Sequence, residues 1–479
     1  MSGALWSNMS AAITTGGRSV GDKWKAYGVT IDSRQVKLGD LFLALSGERA
    51  DGHDFVREAL ESGSVAAIVE HEIENLPENS SLLVVDDVLE ALNCLASEAR
   101  TRTSAKIIAV TGSVGKTSTK DSLAVALQEF DTVHSTVGNL NNHIGTPLSL
   151  ARLHDSSNFA VFELGMNHAG ELSELSKLVR PHLAMITNVH SVHLEYFKNE
   201  GDIAEAKAEI FHGLEPGGQL ILNQDNLWID FLKSRAADLG IKKIVTFGKS
   251  ELSDVRLIDL QEGPDGSCIT ISFSGRSVGY QLGVPGRHRA LNSVGVLACV
   301  YALNLDVERA AEAIRTITPS AGRGKQIEIY LPEGGSIVLI DESYNASPVA
   351  MKAAFSVLAN IQPICGGRRI VAIGDMLELG DDGPKLHVDL LEDLLASRPD
   401  VIFTVGTLMK ELRSQLPSRL CGTHATHSND IAEELANELR AGDVVLVKGS
   451  LGTDMGPIIS AIEALTSRID SASMAEKRS

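Results

Sequence analysis

One stretch constrains the fold of this chain more than any other: IIAVTGSVGKTSTKD, residues 107–121. An apolar run enters a glycine turn and leaves it as a helical pattern, the order of a strand, a phosphate-binding loop and a helix. The leading glycine of the common GxxxxGK[ST] pattern is absent, because Val110 stands in its place. The shorter loop keeps what the chemistry needs. Gly112 and Gly115 let successive backbone N–H groups turn toward an anion, with Ser113, Val114 and Ser118 completing the cradle. Lys116 brings positive charge to the outer phosphates, and Thr117 offers a hydroxyl to Mg²⁺ at the helix N-terminus. An ordinary strand-to-helix turn could share the glycines. Strand, GxxGKT and helix in that order favour a bound nucleoside triphosphate.

The rest of the chain alternates in the same way. FAVFELG (159–165), LAMITNV (183–189) and GQLILN (218–223) read as near-continuous apolar strands, as a parallel sheet covered on both faces requires. DVRLIDL, SCITISF and SVGYQLG, between residues 250 and 285, read as antiparallel strands joined by Gly-rich turns, and HRALNSVGVLACVYAL (288–303) as a helix. SIVLIDE (336–342), RRIVAIGD (368–375), VIFTVG (401–406) and DVVLVKGS (443–450) fit a second doubly wound sheet. Near the start, DLFLAL (40–45) and VAAIV (65–69) precede a helix candidate over 88–101. Polar links at RTSAK (102–106) and TPSAGRGK (318–325) mark the boundaries. The expectation is an α/β chain of three domains. Residues 1–103 form a smaller N-terminal α/β domain, 104–317 a central P-loop NTPase-like domain with a mostly parallel sheet, and 318–479 a Rossmann-like domain.

A formal net charge of −19 argues against broad binding to nucleic acid or anionic membrane. No apolar run approaches the roughly 20 residues that cross a bilayer. The opening MSGALWSNMSAAITTGG lacks the basic and long apolar segments of a secretory signal. Five cysteines without a CxxC pair fit a reducing compartment. A cytoplasmic protein is expected, with neither nucleic acid nor membrane as a partner.

Glu163 closes FAVFELG and His193 follows LAMITNV, so both fall at the carboxyl edge of an open sheet, beside the loop. A carboxylate and an imidazole there can hold Mg²⁺ between a nucleotide and a second substrate. Taken singly, each has an ordinary alternative: a solvated strand end and a capping histidine. Lys207 lies in DIAEAKAEIF between Glu205 and Glu209, and spacing alone makes it a surface lysine. GNLNNHIGTP (138–147) is an asparagine-rich loop whose amides suit phosphate or peptide groups.

Together these pieces resemble the Mur ligase family. TGSVGKTS is the form of phosphate loop that family uses. IDSRQVKLGDLFLALSGERADGHDF (31–55), GNLNNHIGTP, ELGMNHAGEL, IAEAKAEIF, DESYNASP (341–348) and IGDMLELGDDG (373–383) follow the pattern of one of its members. The likeness runs from about residue 30 to KGSLGTDMG (448–456). It implies an ATP-dependent peptide ligase that joins D-alanyl-D-alanine to the terminal carboxylate of UDP-N-acetylmuramoyl-tripeptide through an acyl phosphate. The product would be the UDP-pentapeptide precursor of peptidoglycan. ATP and two Mg²⁺ ions are the implied cofactors, and the implied state is a monomer.

Site residues follow from the same resemblance. It implies a catalytic centre of Lys116, Glu163, His193 and Lys207, with Thr117, Glu163, His193 and Lys207 at the metals. Lys207 matches the family lysine that becomes carbamylated, which turns a cation into a carboxylate-like ligand. Asn292 and Arg323 would contact the nucleotide and Asp341 its ribose. Ser33 and Arg34 would hold the UDP-sugar end in the first domain, and Asn141 and Asn345 would contact substrate. The sequence departs from the family pattern in three places. The usual HNxxN reads HRALN, so Arg289 replaces an asparagine; the DD before SYN is Asp341–Glu342; and NANP is NASP. The competing readings are another Mur-type ligase, a folylpolyglutamate-type ligase and a nucleotide-dependent switch. IDSRQVKLGD and GDMLELG argue against the first two, and the lack of an NKxD-like motif beside the loop argues against a GTPase switch.

Overall fold

The computed structural model describes residues 3–47, 50–192 and 194–476. Three large sheets follow one another along the chain, with a two-stranded ribbon of Trp6–Ser7 and Lys25–Ala26 beside the first. In the first, the strand order is Arg18–Val20, Leu82–Val84, Ala66–Val69, Asp40–Leu43, Gly28–Thr30. The last four strands run parallel and Arg18–Val20 is antiparallel to its neighbour. Helix Val88–Arg102 begins where the Asp87 carboxylate accepts the Glu90 N–H at 2.7 Å, satisfying one of the free amides of a first turn. Val88, Leu92, Leu95, Ala96 and Ala99 recur at helical spacing and are buried, giving an apolar stripe for the sheet.

That first core is not self-contained, because it takes in Leu148 and Ala151 of the helix Gly145–Ala151 from the next domain. Polar ties cross the same seam. The Trp6 indole N–H donates to the Ala151 carbonyl at 2.9 Å, and Arg152 Nε–H to the Val29 carbonyl at 2.6 Å. Buried Arg100 donates to the carbonyls of Val179 and Arg180 at 2.7 and 2.6 Å. Those oxygens end the helix Glu171–Val179, where the last carbonyls have no partner within the helix.

The central sheet has nine strands. Val133–Ser135, Phe159–Glu163, Lys106–Thr111, Leu183–Ile186, Gln219–Asn223 and Ile244–Gly248 run parallel in that spatial order. Period-2 alternation sends Ile108 and Val110 into one apolar layer and Ile107 and Ala109 into the other. Val255–Gly263 joins the sheet parallel to Ile244–Gly248, and Gly266–Phe273 and Arg276–Leu282 extend it as antiparallel strands. The last of these buries only Val278, Tyr280 and Leu282, as a sheet with one solvated face does. The third sheet runs Lys325–Tyr330, Ser336–Glu342, Val444–Lys448, Arg369–Gly374, Val401–Val405, Cys421–Ala425, parallel except for its first strand. Among the described residues no helix is long and apolar enough to cross a membrane.

Every strand read from an apolar run in the central and last domains is present, with ends shifted by a residue or a few. Val133–Ser135, Ile244–Gly248, Lys325–Tyr330 and Cys421–Ala425 escaped that reading. All but Ile244–Gly248 lie at a sheet edge, and the sequences VHS, KQIEIY and CGTHA hold no continuous apolar run.

Trp6 is 1 % exposed and also lies under the Arg102 guanidinium, 4.3 Å from its ring centre. Trp6→Ala is expected to cost about 3–5 kcal/mol, read as a lowered thermal midpoint. Trp6→Phe keeps most of the packing and loses the hydrogen bond, so a smaller loss of about 1 kcal/mol is expected. An unchanged midpoint in Trp6→Ala would show that the seam contributes nothing to stability.

Candidate active site

The strand Lys106–Thr111 lies between Phe159–Glu163 and Leu183–Ile186, the point at which the central sheet reverses its order of growth. Open α/β sheets bind ligands outside the carboxyl ends of strands at such a point. The loop after it leads into helix Lys116–Gln128 through Gly115, which has φ 81°. A Cβ on Gly115 would meet the Asn292 amide at 2.2 Å, so glycine is required both by conformation and by space. Asn188 braces the loop from the neighbouring strand end. Its carbonyl accepts the Ser113 N–H and its side-chain oxygen the Val114 N–H, both at 3.0 Å. The amides of Ser113 and Val114 are therefore turned to Asn188, unlike the expected run of inward-facing N–H groups. The helix's own first amides remain as the anion cradle.

Lys116 folds back over the loop and donates to the Gly112 carbonyl at 2.8 Å. Burial pulls its ammonium below the ordinary lysine value; Glu163 opposes that shift and Arg323 adds to it. Glu163 ends its strand level with Val110 and is 2 % exposed. Its Oε1 accepts from the Asn141 amide at 2.7 Å, while Oε2 is buried with no hydrogen-bond donor. A buried carboxylate oxygen left unpaired is costly, and a cation in the cavity would relieve it. Among the described residues no three His, Cys, Asp or Glu side chains converge as a ready-made metal centre. The donor set of a Thr117 hydroxyl and one free carboxylate oxygen fits Mg²⁺, which takes few protein ligands beside substrate phosphates.

A cavity of about 720 Å³ opens in front of this edge, between the central and last domains. It gathers Ser113, Val114, Gly115, Lys116, Thr117, Ser118, Asn141, Glu163, Arg323 and Asn345. An adjoining cleft of about 40 Å³ adds Asn292 and shares Ser118 and Arg323. Gly112 lies behind the loop as the acceptor for Lys116. Asp341 lines neither space, and its carboxylate is engaged locally. It accepts from the backbone of Gly322 at 2.6 Å and from the backbone and hydroxyl of Ser343 at 3.1 and 2.6 Å. Ser33 and Arg34 stay in the first domain. Ser33 donates to Glu58 at 3.2 Å, and exposed Arg34 forks onto Asp32 with two contacts of 2.9 Å. His193 lies outside the described residues.

Lys207 corrects its local reading. Spacing made it a surface lysine, yet it is 2 % exposed on helix Glu200–Ala208, beside buried Ile203, Ala204 and Ala206. Burial, and after it the like charge of Lys116, depress its pKa well below the ordinary 10.5, with no carboxylate among the described residues offsetting them. Other residues at the cavity had no role assigned from the sequence, although Arg289 and Glu342 stood out there as departures from the family pattern. His288, Arg289, Glu342 and Lys448 line it, and burial, followed by Arg289, lowers the His288 pKa to about 4, so this imidazole is neutral near pH 7.

Three family profiles match: Mur ligase family, catalytic domain, over residues 25–100; Mur ligase middle domain over 110–300; and Mur ligase, glutamate ligase domain over 327–451. A Rickettsia prowazekii protein named UDP-N-acetylmuramoyl-tripeptide--D-alanyl-D-alanine ligase is 33% identical over 95% of this chain and 99% of its own. The crystal structure of MurF from Acinetobacter baumannii superposes with a TM-score of 0.82 at 30% identity, covering 96% of this chain and 98% of that one. MurF ligase from Thermotoga maritima, solved in complex with ADP, gives a TM-score of 0.74 at 27% identity, over 92% and 98%.

The buried ammonium of Lys207 has a thermodynamic signature. Its folded pKa is depressed, so from that lowered value up to 10.5 the unfolded chain holds the extra proton and stability rises with pH. Lys207→Met is expected to raise the thermal midpoint near neutral pH, in CO₂-free buffer, by about 2 °C or more. The gain should shrink as pH approaches 10.5. An equal midpoint across that range would mean that the lysine is compensated in the folded chain.

Proposed function

The chain belongs to the Mur ligase family, and from that premise we propose that it joins D-alanyl-D-alanine to the tripeptide carboxylate of UDP-N-acetylmuramoyl-tripeptide at the expense of ATP. The observation that carries this reading is the near end-to-end match, through all three sheets, to proteins named for that reaction. We assign the cytoplasm as its compartment and a monomer as its working state. Residues 1–103 are assigned the UDP-sugar end through Ser33 and Arg34, 104–317 the nucleotide, and 318–479 the closing face of the site.

Amide formation needs a better leaving group than oxide. A carboxylate oxygen of the tripeptide attacks the γ-phosphorus, the bond to the β-phosphate oxygen breaks, and ADP leaves an acyl phosphate. The D-alanyl-D-alanine amine then adds to the acyl carbon and loses its proton, and the tetrahedral oxyanion collapses with departure of phosphate. Lys116 and Arg323 line the cavity and balance the charge that shifts among phosphate oxygens, so catalysis is largely positioning and electrostatics. Asn292 at the adjoining cleft holds the nucleotide, Asn141 and Asn345 the peptide ends, and Asp341 sets the turn that carries Arg323. Mg²⁺, when bound, supplies further charge neutralisation; Thr117 and the unpaired oxygen of Glu163 would hold one ion. His193 is assigned to the second from its sequence position. Closure of the last domain over the cavity would keep water from an acyl phosphate.

Lys207 fits the same site only in another form. As an ammonium beside Lys116 it has no counter-ion among the described residues; its depressed pKa favours the neutral amine, whose nitrogen can attack the carbon of CO₂ and release a proton. The carbamate so formed is an anion able to offset Lys116 and to ligate the second metal.

The test is phosphate release with ATP, Mg²⁺, D-alanyl-D-alanine and the UDP-tripeptide bearing either meso-diaminopimelate or lysine, omitting one component at a time. Release that needs both peptide substrates, with a matching UDP-pentapeptide, is expected. ATP hydrolysis indifferent to D-alanyl-D-alanine would sink the proposal and point to a switch, and turnover with a different amine would point to a sister ligase. Glu163→Gln should lower kcat at least about 100-fold with an unchanged circular dichroism spectrum.

A further inference from the structure

Two of the sequence's departures from the family pattern meet in space. Arg289, which replaces an asparagine on helix Arg287–Ala302 of the central domain, reaches Glu342, which replaces an aspartate on strand Ser336–Glu342 of the last domain. The Arg289 guanidinium lies 3.5 Å from Glu342 Oε1, and both side chains are largely buried, 11 and 18 % exposed. Lys448 holds the other carboxylate oxygen at 3.2 Å. Parallel register puts Glu342 level with Lys448, so the last domain supplies a fixed carboxylate and the central domain supplies the arginine that meets it.

The same guanidinium donates to the backbone carbonyl of Arg323, on the link between the two domains. That link is also stitched to the last domain, since Gly322 N–H donates to the Asp341 carboxylate and Gly324 N–H to its carbonyl, each at 2.6 Å. Gly324 passes so close to the pair that a Cβ would meet Arg289 at 2.4 Å and Glu342 at 2.7 Å. Arg323 itself stacks its guanidinium 3.9 Å over the Tyr344 ring and lines both clefts. An asparagine at 289 would be too short to span both acceptors, and an aspartate at 342 would draw the carboxylate back toward its own strand.

We propose that Arg289 is a positioning residue for the nucleotide, acting through Arg323, and that it works as a matched pair with Glu342 across the domain boundary. This rests on the ligase reading for the role of the nucleotide, but its readout does not depend on what is ligated. Burial pushes Glu342 up, yet Lys448 and Arg289 together outweigh it and hold the carboxylate low; the pair is thus charged when it forms.

ADP affinity, measured by calorimetry on the full chain, tests the pair in wild type, Arg289→Asn, Glu342→Asp and the double variant. Each single change is expected to weaken ADP binding about 5- to 20-fold, and the double variant to bind no more than about 2-fold more weakly than the weaker single variant, because each change already breaks the same contact. Arg289→Lys keeps the charge but cannot hold Glu342 and the Arg323 carbonyl together, and should weaken ADP about 2- to 5-fold; it serves if Arg289→Asn fails to fold. Losses that simply add in the double variant, or ADP affinities unchanged in Arg289→Asn or Arg289→Lys, would overturn the proposal. A shared fall in thermal midpoint without a change in affinity would reduce the contact to structure alone and overturn it as well. A wild type that binds ADP but makes no UDP-pentapeptide would defeat the ligase reading and leave this measurement standing.

Discussion

Buried positive charge at the cavity is the constraint on which the rest of the structure turns. Lys116, Arg289, Arg323 and Lys448 converge there from two domains and their link. Inside the cavity, Glu163 and Glu342 oppose them, each with an oxygen already engaged by protein, and the exposed carboxylates of Glu171 and Glu174 stand on its lining farther out. The chain as a whole carries −19, whereas the inner end of the cleft sets four cations against two carboxylates, a local excess of positive charge whose field is strengthened by low-dielectric walls. Such an arrangement costs stability in the free chain and is relieved by a polyanion, which is why a nucleotide with its phosphates completes it.

The location of the charges between domains follows from the sheets. In both doubly wound sheets the active residues stand at carboxyl ends of parallel strands: Glu163 in one, Glu342 and Lys448 in the other. The two carboxyl edges face each other across the cavity, with the link at 318–325 running past its side. Neither edge alone offers both a phosphate cradle and enough cationic side chains. Arg323 belongs to the link itself, so its position depends on how the two sheets are held.

Legibility in the sequence divides along the same physical line. Alternation of near-continuous apolar runs with helical patterns is a local signal, and strands such as Phe159–Glu163 and Val444–Lys448 stand where it put them. Edge strands such as Cys421–Ala425 lack that signal because only one side is paired. Lys207 shows the limit at the site: Glu205 and Glu209 beside it look like a solvated face, and nothing local reveals that helix Glu200–Ala208 is packed on that side. Asn188, His288 and Lys448 became visible only in three dimensions, since each matters through a partner far along the chain. Arg289 and Glu342 were legible as oddities and became explicable only once they were neighbours.

The missing leading glycine of the loop now has a physical reason. Val110 is still strand: it pairs in register with Glu163 on one side and Met185 on the other and is fully buried, so a turn could not begin there without breaking the sheet. The loop starts two residues later, and Asn188 takes two of its amides for bracing. A longer loop would turn more N–H groups toward the phosphates. On the proposed function this one has fewer to offer and draws charge from Arg323 on the link, while Lys448 is held by Glu342 and the Asn345 carbonyl. Shortening the loop thus makes the last domain part of the nucleotide site, and it ties phosphate recognition to the contact that Arg289 makes across the boundary.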